Sequence, residues 1–212
     1  MKTNIDYYKS ILKNLPPSYQ EWFNEEKKYL QKIIIPDAQV LEVGCGDGRS
    51  IFDILPITKN ITGIDHDDNA VVDAKNNFSR FPLVKILKAD ATELPFKDGQ
   101  FDFVICMTSF VNFADKKFII LEEMKRVLKK SGKIIISVFS EDALEERKKI
   151  YKTIGLIIKK EENGTIFFDK LSRDNISEQF SKKQLEDIFF QANLKIQDIT
   201  KVSIAYLCTL TK

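Results

Sequence analysis

The stretch that decides the fold is VLEVGCGDGRS, residues 40–50. The apolar residues around Glu42 predict a short buried strand over 39–43, and the spaced apolar residues of 49–55 predict a helix that ends before Pro56. Glycine costs backbone entropy, so the clustering of Gly44, Gly46 and Gly48 indicates a sharp turn or a close approach of the backbone to a ligand. A strand, a glycine-rich turn and a helix in this order are typical of nucleotide-like ligand sites in α/β sheets.

The spacing of the glycines disfavours two common ligands. A dinucleotide fingerprint, G-x-G-x-x-G, would need its third glycine at position 49, where the chain has Arg49. The Gly-Lys-Ser/Thr of a phosphate-binding P-loop is absent from this stretch. A carboxylate such as Glu42 at the end of the strand would repel a pyrophosphate and would suit a cationic ligand. S-adenosylmethionine, a nucleoside with sulfonium and ammonium groups, has this character.

The acid-x-Gly-x-Gly-x-Gly pattern at Glu42, Gly44, Gly46 and Gly48 resembles the first motif of the class I S-adenosylmethionine-dependent methyltransferases, in particular the methyltransferase type 11-like group. The resemblance spans roughly residues 38–140. It implies an α/β fold with a Rossmann-like seven-stranded, mostly parallel sheet, helices on both faces and an antiparallel last strand. It also implies methyltransferase activity with S-adenosyl-L-methionine as the cofactor.

The predicted second strand, 60–65, ends in Asp65, 19 residues after Gly46. That spacing is close to the one at which an acid at a strand end reaches ribose hydroxyls, and a carboxylate can accept from both hydroxyls. The alternative leaves Asp65 in a loop, with Asp67 or Asp68 capping the next helix; Asp67 can also cap while Asp65 binds.

The resemblance implies the ribose role for Asp65, and it implies that Asp90 and the backbone of Ala91 contact the adenine. We therefore predict a set of cofactor-binding residues at the ends of the predicted strands. They are Glu42, Gly44, Cys45, Gly46, Gly48, Asp65, His66, Asp90, Ala91, Thr92, Cys106 and Met107.

The remaining pattern completes the fold. It predicts strands over 84–89, 101–106 and 133–139, helices over 68–80 and 115–129, and a closing helix over 182–192 followed by strands over 194–201 and 203–210. Gly132 is expected to end the second of these helices, and Glu162-Asn163-Gly164 predicts a hairpin turn.

Two helices, over 5–15 and 18–34, are predicted before the glycine motif. Ser18 is the expected N-cap of the second, with Glu21 completing a capping box. We predict two regions: an N-terminal helical cap over 1–35 and a cofactor-binding methyltransferase domain over 36–212. A substrate-side insertion is expected around 141–180.

Aromatic residues are candidates for the acceptor side, although core packing is the alternative for each. From the N-terminal helices these are Tyr7, Tyr8, Tyr19 and Trp22. From the later segments they are Phe167, Phe168 and Phe180, together with Arg173, and residues 109–113 after the fourth strand are also expected to face the acceptor.

Methyl transfer from a sulfonium is an in-line displacement, so it needs alignment and exclusion of water more than acid–base groups. We predict no particular catalytic residue and no metal. An oxygen acceptor would need a general base, for which Asp115 is the nearest acid to the fourth strand. The Asn/Asp-Pro-Pro-Tyr and Pro-Cys motifs of nucleic-acid methyltransferases are absent. A small-molecule acceptor is favoured, and an RNA or protein acceptor stays open.

The amino-acid composition limits the class of protein that the chain can form. The 212 residues are 43% apolar and 30% charged, which is typical of a globular protein, and 33 basic against 31 acidic residues do not by themselves indicate nucleic-acid binding. Three separated cysteines and one histidine do not predict a zinc site or a disulfide framework. The chain begins without an apolar leader and has no run of 18 apolar residues, so we expect a cytoplasmic protein with no membrane partner. The sequence does not indicate an oligomeric state.

Three other classes of protein fit the sequence less well. A dinucleotide-dependent oxidoreductase is disfavoured by Arg49 and Glu42. A non-catalytic subunit that keeps this fold to activate a partner enzyme would be expected to have a degraded cofactor motif, whereas this one is intact. An aminopropyltransferase of the same fold is weakly disfavoured because no acidic cluster suited to a polyamine is evident.

Overall fold

The computed structural model describes residues 14–169 and 176–212. Its strands are β1 (Val40–Val43), β2 (Ile61–Asp65), β3 (Lys85–Lys88), β4 (Phe101–Met107), β5 (Leu128–Phe139), β6 (Ile158–Glu162), β7 (Thr165–Phe168), β8 (Ile176–Ser177), β9 (Lys195–Val202) and β10 (Ala205–Thr211). Its helices are α1 (Pro17–Ile33), α2 (Arg49–Ile54), α3 (Asp68–Asn77), α4 (Lys117–Val127), α5 (Leu144–Thr153) and α6 (Lys182–Gln191). Short 3-10 turns occupy Ser109–Asn112, Ala114–Lys116 and Glu141–Ala143.

Seven strands form one sheet in the order β3-β2-β1-β4-β5-β10-β9. The first five run parallel to their neighbours, and those that follow one another in the chain are joined by crossover segments. β10 is antiparallel to both of its neighbours, β5 and β9. The Rossmann-like, mostly parallel sheet with an antiparallel last strand is therefore confirmed.

Helices cover both faces of the central strands, whose successive side chains point to opposite faces of the sheet. One face packs against α4 and α6 through residues such as Leu121 and Phe189. The other packs against α2 and α3 through residues such as Ile51 and Val71. α1 contributes to both cores, with Trp22 on the first face and Leu30 on the second. None of the helices within the described ranges is long and apolar enough to cross a membrane.

Residues after β5 leave the main sheet. α5 is followed by a separate three-stranded antiparallel sheet in the order β6-β7-β8. The predicted hairpin turn is confirmed: Asn163 and Gly164 both have positive φ, 49° and 78°, as a two-residue turn between twisted strands requires. The chain returns to the main sheet beside Ser140, which is bridged to Phe180. The role of 141–180 as a substrate-side insertion stays a prediction.

The predicted capping box at Ser18 is wrong. α1 begins one residue earlier, at Pro17, whose fixed φ suits the first position of a helix. Ser18 therefore lies inside the first turn, and its hydroxyl donates to Glu146 Oε2 at 3.0 Å, which joins α1 to α5.

The helix predicted over 5–15 and the candidates Tyr7, Tyr8 and Arg173 lie outside the described residues. The capping box of α6, by contrast, is present between Ser181 and Gln184.

The expectation that Gly132 ends α4 is also wrong. The helix ends at Val127, and β5 begins at once with Leu128. Gly132 lies within β5, where a Cβ would come within 2.7 Å of the Asp102 carbonyl oxygen. Glycine is present there because β4 and β5 approach closely beside an irregularity in their register.

Candidate active site

A cavity of about 730 Å³ lies at the carboxyl ends of β1 to β4. Open α/β sheets bind ligands at this edge, and the volume is in the range of small-molecule sites, about 300–1,000 Å³. Seven of the predicted cofactor-binding residues line it together: Gly44, Gly46, Asp65, His66, Asp90, Ala91 and Thr92. The fold thus gathers residues that are far apart in the sequence onto one wall.

Gly46 leaves space open at the cavity wall. Its φ is +54°, and a Cβ at this position would meet no heavy atom of the described residues within 4 Å, so those residues leave the space open. Gly48 is different: its φ is +95°, and a Cβ there would collide with the ring of Phe78. The glycine motif therefore combines a backbone cradle at Gly46 with tight internal packing at Gly48. The cradle fits a ligand that lies against the loop, as the cofactor is predicted to do.

Asp65 braces the glycine loop from the end of β2. Its Oδ2 accepts from the Gly46 amide and its Oδ1 from the Asp67 amide, both at 2.9 Å. Each carboxylate oxygen has a second lone pair, so these bonds leave acceptor capacity toward the cavity that Asp65 lines. Asp67 caps α3 by accepting from the Asn69 and Ala70 amides. Helix capping thus falls to Asp67, and Asp65 stays available for the predicted ribose contact.

His66 and Asp90 flank the same wall. His66 Nδ1 lies 3.6 Å from Asp65 Oδ1. Asp90 Oδ1 accepts from the Thr92 amide at 2.8 Å and from the Thr92 hydroxyl at 2.7 Å. The hydrogen bond from the Thr92 amide, followed by that from its hydroxyl, lowers the pKa of Asp90. Asp90 therefore presents a charged carboxylate at the mouth of the cavity.

Glu42 does not line the cavity. It is 1% exposed and lies in the interior on the α2 side of β1. Desolvation by burial raises its pKa to about 8, against the lowering effects of a hydrogen bond with Ser50 and of the Arg49 charge. A carboxyl that is largely neutral near pH 7 would not repel a pyrophosphate. The expected electrostatic effect of Glu42 against such a ligand is therefore absent near this pH. Nearby, Arg49 forms an ion pair with the fully buried Glu26 and packs over the Phe23 ring.

Cys45, Cys106 and Met107 are buried and also lie away from the cavity wall. The side chains of Cys106 and Met107 enter opposite cores of the sheet. Burial raises the pKa of Cys45 and of Cys106, so both stay protonated thiols. Gly48 is likewise turned toward Phe78. The cofactor-binding role of these residues, and of Glu42, stays a prediction.

A second cavity of about 620 Å³ adjoins the first, and the two share Asp67 and Asn112 in their walls. Its wall is rich in aromatic rings from α1, β5, α5 and β7. These rings are Tyr19, Trp22, Phe23, Phe139, Tyr151 and Phe168.

Some of the aromatic residues predicted to face the acceptor line the second cavity, and others lie elsewhere. Tyr19, Trp22 and Phe168 line the second cavity. Phe180 instead packs in the core, with its ring centroid 6.0 Å from that of Phe110. Phe167 lies on the hairpin with Lys160 Nζ over its ring.

The loop after β4 separates the two cavities and holds strained backbone. Thr108, a β-branched residue that lines the second cavity, has φ +73°, and Ala114, which lines the first, has φ +50°. Non-glycine residues with positive φ cost free energy and cluster at functional sites. Ser109 fixes the same loop by donating to the Gly44 carbonyl at 2.6 Å. The end of the fourth strand, 106–108, is expected from the sequence to face the methionine half of the cofactor, but the positive φ of Thr108 and Ala114 could not be predicted, since no sequence pattern marks a non-glycine residue in this conformation.

Comparison with known proteins agrees with this geometry. Residues 41–136 match the family model described as a methyltransferase domain. The fold is similar to that of an S-adenosylmethionine-dependent methyltransferase from Clostridium acetobutylicum, with a TM-score of 0.69, 16% identity and coverage of 97% of this chain and 95% of that one. The matched family model and the shared fold are consistent with a class I S-adenosylmethionine-dependent methyltransferase, the class that the sequence resembles and whose cofactor is S-adenosylmethionine.

Two further proteins are similar to this chain, one in sequence and one in structure. Demethylmenaquinone methyltransferase of Staphylococcus aureus is 29% identical over 163 residues, which cover 71% of this chain and 67% of the relative. The crystal structure of the PH0226 protein from Pyrococcus horikoshii has a TM-score of 0.72 at 25% identity, with 92% of each chain covered.

Replacing Asp65 tests the ribose assignment. Asp65→Ala should weaken S-adenosylmethionine binding by roughly 1.5–3 kcal/mol, because hydrogen bonds to a charged carboxylate would be lost. Isothermal titration calorimetry measures the change. The matched control is Asp102→Ala, which removes a carboxylate that binds the Gln39 amide and Lys129 away from the cavity wall. Unchanged affinity in Asp65→Ala would count against the ribose role.

Proposed function

We propose that this enzyme methylates a small molecule that binds in the second cavity. The observation that carries the proposal is the contact between the two cavities: they meet at Asp67 and Asn112, so an acceptor in the second lies beside a cofactor in the first. The name of the demethylmenaquinone methyltransferase relative, which specifies a small-molecule acceptor, supports the same class.

Bound S-adenosylmethionine supplies an electrophilic methyl group on a sulfonium. The chain's contribution is to hold and align the two reactants. Gly46 and Asp65 form the cofactor side, and the aromatic rings of the second cavity exclude water from the acceptor side. Asp115 lines the first cavity and follows the fourth strand, so it is a candidate to take a proton where the acceptor atom needs deprotonation.

A labelling experiment tests this proposal. The purified enzyme is incubated with methyl-labelled S-adenosylmethionine and a bacterial extract separated into small-molecule, RNA and protein fractions. Label should enter the small-molecule fraction, and demethylmenaquinone is the first single compound to try. Gly46→Val, which fills the cofactor cradle, serves as the inactive control. Label confined to RNA or to protein would overturn the proposal in favour of that acceptor class.

A further inference from the structure

The hydroxyl of Tyr19 is a buried donor left unused by residues 14–169 and 176–212. Tyr19 is 5% exposed, and its hydroxyl oxygen has no hydrogen-bond partner among the described residues. Leaving such a group unpaired is unfavourable, because its hydrogen bond to water is lost on burial and not replaced. Tyr19 lines the second cavity, and its ring is held 5.9 Å from Trp22 and 6.0 Å from Phe139, measured between centroids.

Other polar groups in the same wall are satisfied by the protein. Trp22 Nε1 donates to Ser137 Oγ at 2.8 Å, and the Tyr151 hydroxyl lies 2.8 Å from Ser177 Oγ. Tyr19 is therefore an exception within its own surroundings. Burial raises its pKa, so the hydroxyl remains a neutral donor.

A buried positive charge lies beside this hydroxyl. Arg147 is fully buried, and its guanidinium packs over the Phe139 ring with its central carbon 4.9 Å from the ring centroid. Its hydrogen bonds go to the Gly164 carbonyl, Gln179 and Ser177, and within the described ranges it forms no ion pair with a carboxylate.

The charge of Arg147 favours an anion in the cavity. A buried cation that is balanced only by neutral oxygens makes its surroundings more favourable for a negative charge. Glu146 also acts on Tyr19, but it is ion-paired with Lys149 at 2.8 Å.

We propose that Tyr19 is a specificity-determining residue that donates a hydrogen bond to an anionic oxygen of a planar aromatic acceptor in the second cavity. This inference rests on the proposed function. The rings of the cavity wall suit a flat aromatic body by stacking and edge-to-face contacts. The hydroxyl of Tyr19 and the positive charge of Arg147 then favour an acceptor whose aromatic ring carries a negatively charged oxygen.

The test measures binding rather than turnover. Trp22 is the only tryptophan of the chain and lines the cavity, so its fluorescence reports occupancy. The probe is 4-nitrophenol at a pH where it is ionised, titrated with S-adenosylhomocysteine present; the comparison probe is 4-nitroanisole, which has no anionic oxygen. Tyr19→Phe removes the hydroxyl and keeps the ring. The matched control is Tyr29→Phe, since Tyr29 lies on the same helix and its hydroxyl bonds Asp198 and Thr209 outside the cavity.

Tyr19→Phe should bind 4-nitrophenolate at least about tenfold more weakly than the wild type, because a hydrogen bond to a charged group is lost. Its affinity for 4-nitroanisole and for S-adenosylhomocysteine should stay unchanged, and Tyr29→Phe should bind both probes like the wild type. Equal affinity of Tyr19→Phe and wild type for 4-nitrophenolate would overturn the inference while leaving the second cavity as the acceptor site. A Trp22 signal that responds to neither probe would contradict both the inference and the proposed function.

Discussion

Gly46→Val should reduce the affinity for S-adenosylmethionine at least about a hundredfold, which corresponds to about 2.7 kcal/mol. The valine side chain would project into the space that no protein atom within 4 Å fills, and there it would occupy the place of the cofactor. Because its Cβ would meet no heavy atom in the part of the chain that the structure describes, the loss of stability should be limited to backbone strain, about 1–2 kcal/mol. Calorimetric titration gives the affinity, and a urea melt gives the stability.

Gly155 provides a closely matched control. Its φ is +78°, and a Cβ there would also meet nothing within 4 Å, but it lies after α5 and does not line the cofactor cavity. Gly155→Val should therefore show similar strain with unchanged cofactor binding. If Gly46→Val bound S-adenosylmethionine as well as Gly155→Val does, the cradle would have to be placed elsewhere.

The stability of the protein should fall as the pH rises from about 4.5 to about 8. Burial raises the pKa of Glu42 to about 8 from its ordinary value of 4.5. Within this window the folded protein keeps a proton on Glu42 that the unfolded chain has released. The free energy of unfolding should consequently decrease by up to about 1.4 kcal/mol per pH unit. Urea denaturation at a series of pH values measures this slope.

Glu42→Gln should flatten the slope, because glutamine keeps the size of the side chain without titrating. Asp53→Asn is the matched comparison: burial raises the pKa of Asp53 from 3.8 only to about 6, so this variant should lose only the share of the slope that Asp53 adds below about pH 6 and should keep the slope due to Glu42. Acids with lowered pKa values, such as Asp90 and Asp102, lose their contribution below the window. Parallel curves for wild type and Glu42→Gln would show that Glu42 does not keep its proton in the folded state.

The sheet could be predicted because its signals are local. Apolar runs ending in Gly44, Asp65 and Asp90 mark consecutive strand ends, and parallel strands bring those ends to one edge. The same logic predicted a site at that edge. It could not tell a glycine that faces a ligand, Gly46, from one that faces a ring, Gly48, because the difference depends on Phe78, which is distant in the sequence.

The direction in which side chains point accounts for other differences between the predicted and the observed site. Alternation along a strand puts Glu42 and Met107 on the α2 and α3 side of the sheet, although both stand next to the loops that line the cavity. The strained Thr108 and the unpaired Tyr19 hydroxyl depend on tertiary contacts that leave no local pattern. The start of α1 was misplaced because Pro17 and Ser18 both carry helix-start signals, and the proline takes the first position.

The placement of α1 limits how this enzyme can change its substrate preference during evolution. One surface of the helix anchors the fold, since Trp22 is fully buried and bonded to Ser137, while Tyr19 and Phe23 on the same helix shape the second cavity. Mutations there risk unfolding before they alter selectivity. Phe168, which also lines this cavity, belongs to a small separate sheet, and Leu156 lies just before that sheet; changes there would disturb the main cores less. Divergence among homologues with new acceptors should accordingly accumulate on the α5 and hairpin side.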